Sequence, residues 1–102
     1  MLNLLLKVHN QLKQQQITAQ ILQHHQTFQA DAAAKAWIVA RESGGNYNAR
    51  NGQYVGAYQL SASYLGGDYS PAHQDEVANQ YVTSRYGSWV NAQKHWQECG
   101  WY

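Results

Sequence analysis

Glycine placement constrains this chain more than any other feature. Pairs at Gly44-Gly45 and Gly66-Gly67, and single glycines at Gly87 and Gly100, close off segments rich in apolar residues, whereas residues 1 to 29 hold neither glycine nor proline. Glycine reaches the left-handed backbone conformation that ends helices, so these positions mark element boundaries. The unbroken stretch at the start differs from the rest in composition. Eight glutamines lie between Gln11 and Gln29, and only Lys7 and Lys13 carry a full charge. Leu5, Leu12, Ile17, Ile21, His24 and Phe28 fall loosely on one helical stripe, which predicts an amphipathic helix with a weak polar face. Such a segment packs on the neighbouring domain, self-associates, or stands as a Gln-rich stalk. His24 and His25 are adjacent on a helix and point in different directions, so they form no metal-ligand pair.

A compact domain is expected from residue 30 to residue 102. Asp31 is placed to N-cap a helix from Ala32 to about Arg41, in which Ala33, Ala34, Ala36, Trp37, Ile38, Val39 and Ala40 make nearly every face apolar. Gly44-Gly45 ends it. Asn51-Gly52 between Ala49-Arg50 and Gln53-Tyr54-Val55 has the spacing of a tight two-residue hairpin turn. Ala57 to Leu65 reads as a short helix or turn. Ser70-Pro71 is a helix start, with hydroxyl N-cap and proline at the first helical position. That helix should reach about Tyr86, with Ala78, Tyr81, Val82, Arg85 and Tyr86 on its inner stripe. Gly87 stops it, and Ser88 caps a last helix carrying Trp89, Ala92 and Trp96 at three- and four-residue intervals. The fold class is mainly α, an α+β arrangement with a small β-hairpin.

A chain of 102 residues supports one modest core. Its aromatic content comes from eight Tyr and four Trp against a single Phe. Rings with polar tips suit a wet groove of the kind that binds sugars, although small domains also use Trp as core filler, the role expected of Trp37 and Trp96. The formal net charge is +1 with scattered basic residues, so neither nucleic acid nor an anionic membrane is an expected partner. Cys99 stands alone, which excludes an intramolecular disulfide. The apolar run Leu2-Asn3-Leu4-Leu5-Leu6 is shorter than a signal-peptide core, and no stretch is long enough for a transmembrane helix.

Glu42 sits in Arg41-Glu42-Ser43-Gly44-Gly45, where an apolar helix gives way to a glycine-rich loop. A carboxyl there can be shielded on one face and still reach a ligand, the setting of a proton donor. The same pentapeptide also admits a surface ion pair with Arg41 or Arg50.

The run Ala36-Trp37-Ile38-Val39-Ala40-Arg41-Glu42-Ser43-Gly44-Gly45-Asn46, followed by Asn51-Gly52-Gln53-Tyr54-Val55-Gly56-Ala57-Tyr58-Gln59-Leu60-Ser61, resembles the lysozyme-like domain of lytic transglycosylases and resuscitation-promoting factors. The further run Tyr81-Val82-Thr83-Ser84-Arg85-Tyr86-Gly87-Ser88-Trp89 and the ending Gly100-Trp101-Tyr102 are similar to the C-terminal domain of lactobacillar aggregation-promoting factors. The resemblance covers roughly residues 33 to 102. It implies a lysozyme-like fold and a secreted or cell-surface protein whose partner is the glycan strand of peptidoglycan. It also implies cleavage with Glu42 as catalytic acid and then base, the substrate's N-acetyl group supporting the developing cation and its 6-hydroxyl closing an anhydro ring. No cofactor and no metal ion enters that chemistry. Asp68 reads as a turn or cap residue, and Asp75 and Glu76 as acids near a helix start, so no second carboxylate of a two-acid glycosidase is evident.

Gln59 matches the glutamine of the family's Gly-x-x-Gln segment, where it contacts an acetamido or hydroxyl group or ties hairpin to helix. Tyr54 and Tyr58 line the groove and Tyr47 stacks on a sugar ring, with packing roles as the alternative for each. Ser43 and Asn46 either shape the loop beside the site or contact the substrate directly, and Trp89 anchors the last two helices. Resuscitation-promoting factors carry a cysteine just before the glutamate, where this chain has Arg41, a residue able to pull on the Glu42 carboxyl. The late tyrosine motif of the large soluble transglycosylases has no counterpart, so the group that orients Glu42 is unassigned. The rival to an enzyme is a wall-binding, aggregation-promoting module whose groove holds glycan without turnover. A cytoplasmic structural protein that borrows the fold is a third class.

Overall fold

The computed structural model describes Leu2 to Tyr102, and Met1 lies outside the described residues. In chain order the elements are helix α1 (Leu2–Glu42), strands β1 (Arg50–Asn51), β2 (Tyr54–Val55) and β3 (Leu60–Ser61), a 3-10 turn (Ala62–Leu65), and helices α2 (Pro71–Tyr86) and α3 (Trp89–Cys99). The chain divides into two compact units, Met1–Ala30 and Asp31–Tyr102. Mainly helical with one small antiparallel sheet, it is an α+β protein.

The first unit is helical from Leu2 onward, and its side chains from Asn3 to Ala30 are exposed, Leu5 and Phe28 among them. Thr18 and Thr27 return their hydroxyls to the carbonyls of Gln14 and Gln23 at distances of 2.9 and 3.0 Å, local bonds of an exposed helix.

Helix α1 continues through Asp31, which corrects the expectation that Asp31 starts a new helix. With no glycine or proline before Gly44, adding a residue to an existing helix costs far less than nucleating another. Asp31 caps a different helix instead: its Oδ1 accepts the main-chain N–H of Val90 at 3.2 Å, satisfying an orphan donor in the first turn of α3. The all-round burial expected for residues 32 to 41 is also corrected. Ala34 and Ile38 are buried one turn apart, while Ala32, Ala33, Ala36 and Ala40 are exposed. Alanine favours the helix without demanding burial.

The sheet has the order β1-β2-β3, with Arg50 opposite Val55, Asn51 opposite Tyr54, Tyr54 opposite Ser61 and Val55 opposite Leu60. The hairpin turn is therefore Gly52-Gln53, one residue later than expected, with Gly52 at φ 61° supplying the left-handed conformation and Asn51 still in the ladder. The segment expected to be a short helix or turn from Ala57 to Leu65 is a turn to Gln59, then β3, then the 3-10 turn.

Helices α2 and α3 follow their local signals. The Ser70 hydroxyl accepts from the His73 N–H at 3.4 Å and Pro71 opens α2, and the Ser88 hydroxyl accepts from the Asn91 N–H at 3.1 Å. Gly87 and Gly100 end the two helices, both at φ 81°. Ala34, Ile38, Ala57, Tyr58, Leu60, Ala78, Val82, Trp89 and Ala92 form the core. Four alanines let the backbones approach closely, and Tyr58 and Trp89 fill the remaining volume.

One buried amide ties the loops to this core. Gln74, 2% exposed, accepts the Ala57 N–H at 3.0 Å and donates to the carbonyls of Tyr47 at 3.1 Å and Tyr69 at 2.8 Å. Gly56 makes room for it: φ is 83°, and a Cβ there would collide with the Gln74 amide. Replacing Gln74 with Leu leaves three main-chain groups unsatisfied, at about 1 to 3 kcal/mol for each buried group. Gln74→Leu should thus lose about 3 kcal/mol or more in urea denaturation, and a loss under about 1 kcal/mol would refute the tie.

Candidate active site

Ala34, Ile38 and Glu42 are spaced four residues apart, so the stripe that buries α1 in the core carries Glu42 at its end. The helix stops there because the N–H groups of Ser43 and Gly44 both close on the Val39 carbonyl, at 3.0 and 3.1 Å, and Gly44 takes φ 67°. Glu42 is half-buried. On α3 the stripe that buries Trp89 and Ala92 ends in the same way on Trp96. The Trp96 indole N–H donates to Glu42 Oε1 at 2.8 Å. Indole nitrogen only donates, so Oε1 is the acceptor and the second carboxyl oxygen, Oε2, lies outside this bond.

Neither ion pair admitted by the sequence forms. The Arg41 guanidinium lies 3.4 Å from the centre of the Trp37 ring and donates from Nη1 to the Trp37 carbonyl at 3.1 Å. Trp37 meets Trp96 edge to face, with ring centres 5.1 Å apart. Arg41, Trp37 and Trp96 thus stack toward the carboxyl, and Arg41 acts on Trp37 instead of on Glu42. The two tryptophans expected as core filler are both half-buried, and one of them touches the candidate acid.

Glu42 opens on a cleft of about 730 Å³. Asn51, Gln53 and Tyr54 of the hairpin, Gln59 to Ser61, Tyr64, Tyr81 and Arg85 of α2, and the closing Gly100-Trp101-Tyr102 make its walls. Glu42 is the one carboxylic side chain in this lining and Arg85 the one basic side chain. The Tyr102 hydroxyl donates to the Tyr58 carbonyl at 2.6 Å. Burial first, then the nearby Glu42 charge, hold its phenol well above the ordinary tyrosine value, so it stays a neutral donor. The Tyr81 hydroxyl donates to the main-chain oxygen of Tyr102 at 2.9 Å, which pins the closing residues to α2. Among the described residues no group of three His, Cys, Asp or Glu side chains is placed to hold a metal ion.

The residues singled out from the sequence separate into two groups. Tyr54, 47% exposed, lines the cleft with Gln59 and Glu42. Gln59 is the one non-glycine with positive φ among the described residues, at 50°, and its Nε2 donates to the carbonyls of Gly56 at 2.8 Å and Ala49 at 3.3 Å. Its amide nitrogen thereby ties the turn, leaving the carbonyl oxygen to offer a ligand. Tyr58, Tyr47, Ser43 and Asn46 stand outside the cleft lining. Tyr58 is in the core at 4% exposure, so the groove role expected for it gives way to packing. Tyr47 meets Tyr58 edge to face at 6.4 Å in place of the expected open stacking surface. The Ser43 hydroxyl donates to the Ala57 carbonyl at 2.6 Å, and Asn46 Oδ1 accepts the Asn48 N–H at 2.9 Å, so both shape the loop and the substrate contact expected as their other role gives way.

Trp96, Tyr102, Tyr64 and Trp101 carry no sequence signal of a place at the site, and Tyr81 and Arg85, expected on the inner stripe of α2, are half-buried and exposed in turn, with both lining the cleft. The spacing of Trp96 from Trp89 put it on the buried face of α3, but nothing local showed which carboxyl it would meet. No family model, curated protein or solved structure matches this chain.

Asp75 has a larger role than its place near a helix start suggested. Its Oδ1 accepts from the hydroxyls of both Tyr47 and Tyr58, each at 2.6 Å. Burial pushes the Asp75 pKa up, but the two hydroxyls and the Lys35 charge outweigh it and hold the carboxyl below its ordinary value. A carboxyl with a depressed folded pKa adds stability above its unfolded pKa, about 3.9, and loses it as pH falls through the folded value. Asp75→Asn should therefore be less stable than wild type by about 2 kcal/mol at pH 7. That gap should hold down to about pH 5 and shrink below about pH 4 in denaturation curves; a pH-independent gap would contradict the assignment.

Proposed function

We propose that residues 31 to 102 form a lysozyme-like domain that cleaves peptidoglycan glycan strands as a lytic transglycosylase, with Glu42 as the only acid and base. One observation carries this reading: a single carboxyl, held through one oxygen by the Trp96 indole, faces a cleft of about 730 Å³ walled by tyrosines, amides and Trp101. That volume is in the range of ligand clefts, about 300 to 1,000 Å³. Phenol, indole and amide groups are the side chains that stack on sugar rings and bond their hydroxyls.

Glycoside cleavage needs a proton on the departing oxygen while positive charge grows on the anomeric carbon. Glu42 Oε2–H gives that proton and the C1–O bond breaks toward the departing sugar. The substrate's own acetamido oxygen supports the cation, since the lining supplies no second carboxylate. The 6-hydroxyl of the same sugar then adds to C1 and returns its proton to Glu42, which regenerates the acid without consuming water. The product is a 1,6-anhydro end. The glycan strand places the proposed site of action at the cell wall, and the protein as secreted or displayed on the surface.

Digestion of purified glycan strands, read by mass spectrometry, tests the reading. Wild type should release fragments lighter by one water than hydrolysis products, and Glu42→Gln should cut about a thousandfold more slowly. Fragments with plain reducing ends would indicate a hydrolase. Strands bound but left intact would indicate a wall-binding, aggregation-promoting module.

The Trp96 contact makes a separate prediction. Trp96→Phe keeps an aromatic edge against Trp37 and removes the N–H that holds Oε1. Because small misplacements of a reacting group cost up to about a hundredfold, turnover should fall by about ten- to a hundredfold with KM little changed. Unaltered turnover in the folded variant would mean that the indole does not position the acid.

A further inference from the structure

Arg85 is the one basic side chain lining the cleft, and its partner in the domain is Tyr81, with no carboxylate paired to it. Among the described residues the ion pair formed is His73 with Asp68, and none involves Arg85. Its side chain is exposed but lies along the wall, with Cζ 4.6 Å from the centre of the Tyr81 ring. Tyr81 is itself fixed by its hydroxyl bond to Tyr102 and by edge-to-face contact with the Tyr102 ring at 5.7 Å. The guanidinium is thus laid on an immobilised aromatic surface with its donor edge unused by any carboxylate of the domain. A planar five-donor fork of this kind binds carboxylates through two parallel hydrogen bonds.

The remaining lining sharpens the consequence. Apart from Arg85 the one acidic or basic side chain facing the cleft is Glu42. An acidic ligand therefore finds a single favourable charge, and a neutral ligand finds none that it needs. We propose that Arg85 forms a carboxylate-recognition subsite, by which the cleft selects glycans bearing acidic substituents over neutral N-acetylglucosamine oligomers. The subsite deepens the glycan-cleaving function proposed above and rests on it. In peptidoglycan the carboxylate comes either from the lactyl ether of the muramic acid or from the peptide stem. Attachment of the stem converts the lactyl carboxyl to an amide, so each muramic acid offers one source or the other.

Binding is measured by calorimetry on the full chain carrying Glu42→Gln, so that ligands are not consumed, with and without Arg85→Met. Methionine keeps an unbranched stem against Tyr81 and removes the fork. Three ligands are compared: stem-free glycan with open lactyl carboxylates, stem-bearing glycan, and a neutral chito-oligosaccharide of equal length. Arg85→Met should weaken binding of a carboxylate-bearing glycan by about tenfold or more and reduce its salt dependence, with the neutral oligomer changed less than about twofold. Loss confined to the stem-free glycan assigns the lactyl group, and loss confined to the stem-bearing glycan assigns the peptide. Arg85→Lys should recover only part of the loss, because the charge returns without the fork. An equal fall for all three ligands, or no fall for any, overturns the subsite. Wild-type cleavage abolished by Glu42→Gln alongside either result leaves the glycan-cleaving function standing, whereas a wild type that neither cuts nor binds any of the three removes both.

Discussion

The second unit depends on the solution found for one buried amide. Gln74 spends its hydrogen-bonding capacity on three main-chain groups from three separate segments, at Tyr47, Ala57 and Tyr69. Those segments are the loop after α1, the end of the hairpin and the approach to α2. A buried polar group that is fully satisfied both stabilises and specifies, since any rearrangement leaves several groups without partners. Gly56 completes the arrangement by leaving the space that a side chain would take.

With the loops held, the two helical stripes set the chemistry. Each helix buries the residues its periodicity dictates, and each stripe ends on a polar-tipped residue at the edge of the core. Glu42 on α1 and Trp96 on α3 meet there. The contact is formed across 54 residues of sequence, so it exists only because Ala34 and Ile38 of α1 and Trp89 and Ala92 of α3 enter one core. Arg41 is kept off the carboxyl by its stack on Trp37. The Glu42 carboxyl therefore faces the cleft with a directional donor behind it and no opposing charge bonded to it.

Local signals were legible where the physics is local. Ser70 and Pro71 started α2, Gly87 ended it, and Ser88 and Gly100 bounded α3, since caps involve groups within a turn of one another. Competition between neighbouring signals was harder to read. Asp31 looked like a start but lies within a helix already growing, and the Asn51-Gly52 pair gave way to Gly52-Gln53 because Asn51 stays in the ladder with Tyr54. Three tyrosines illustrate the same limit. Tyr47, Tyr54 and Tyr58 have equal chemistry, and only Tyr54 reaches the cleft, because the Asp75 carboxylate draws the hydroxyls of the other two inward.

Composition, breakers and helical period were thus enough for a mainly α chain with a small hairpin, for the ends of its last two helices, and for the place of Glu42 at a helix end before a glycine-rich loop. They act within a few residues of one another. Packing alone decided that Trp96 holds Glu42, that Tyr81, Arg85 and Tyr102 face the same cleft, and that Asp31 caps α3. Those contacts join residues far apart in the chain, and a side chain carries no local mark of the distant group it will meet.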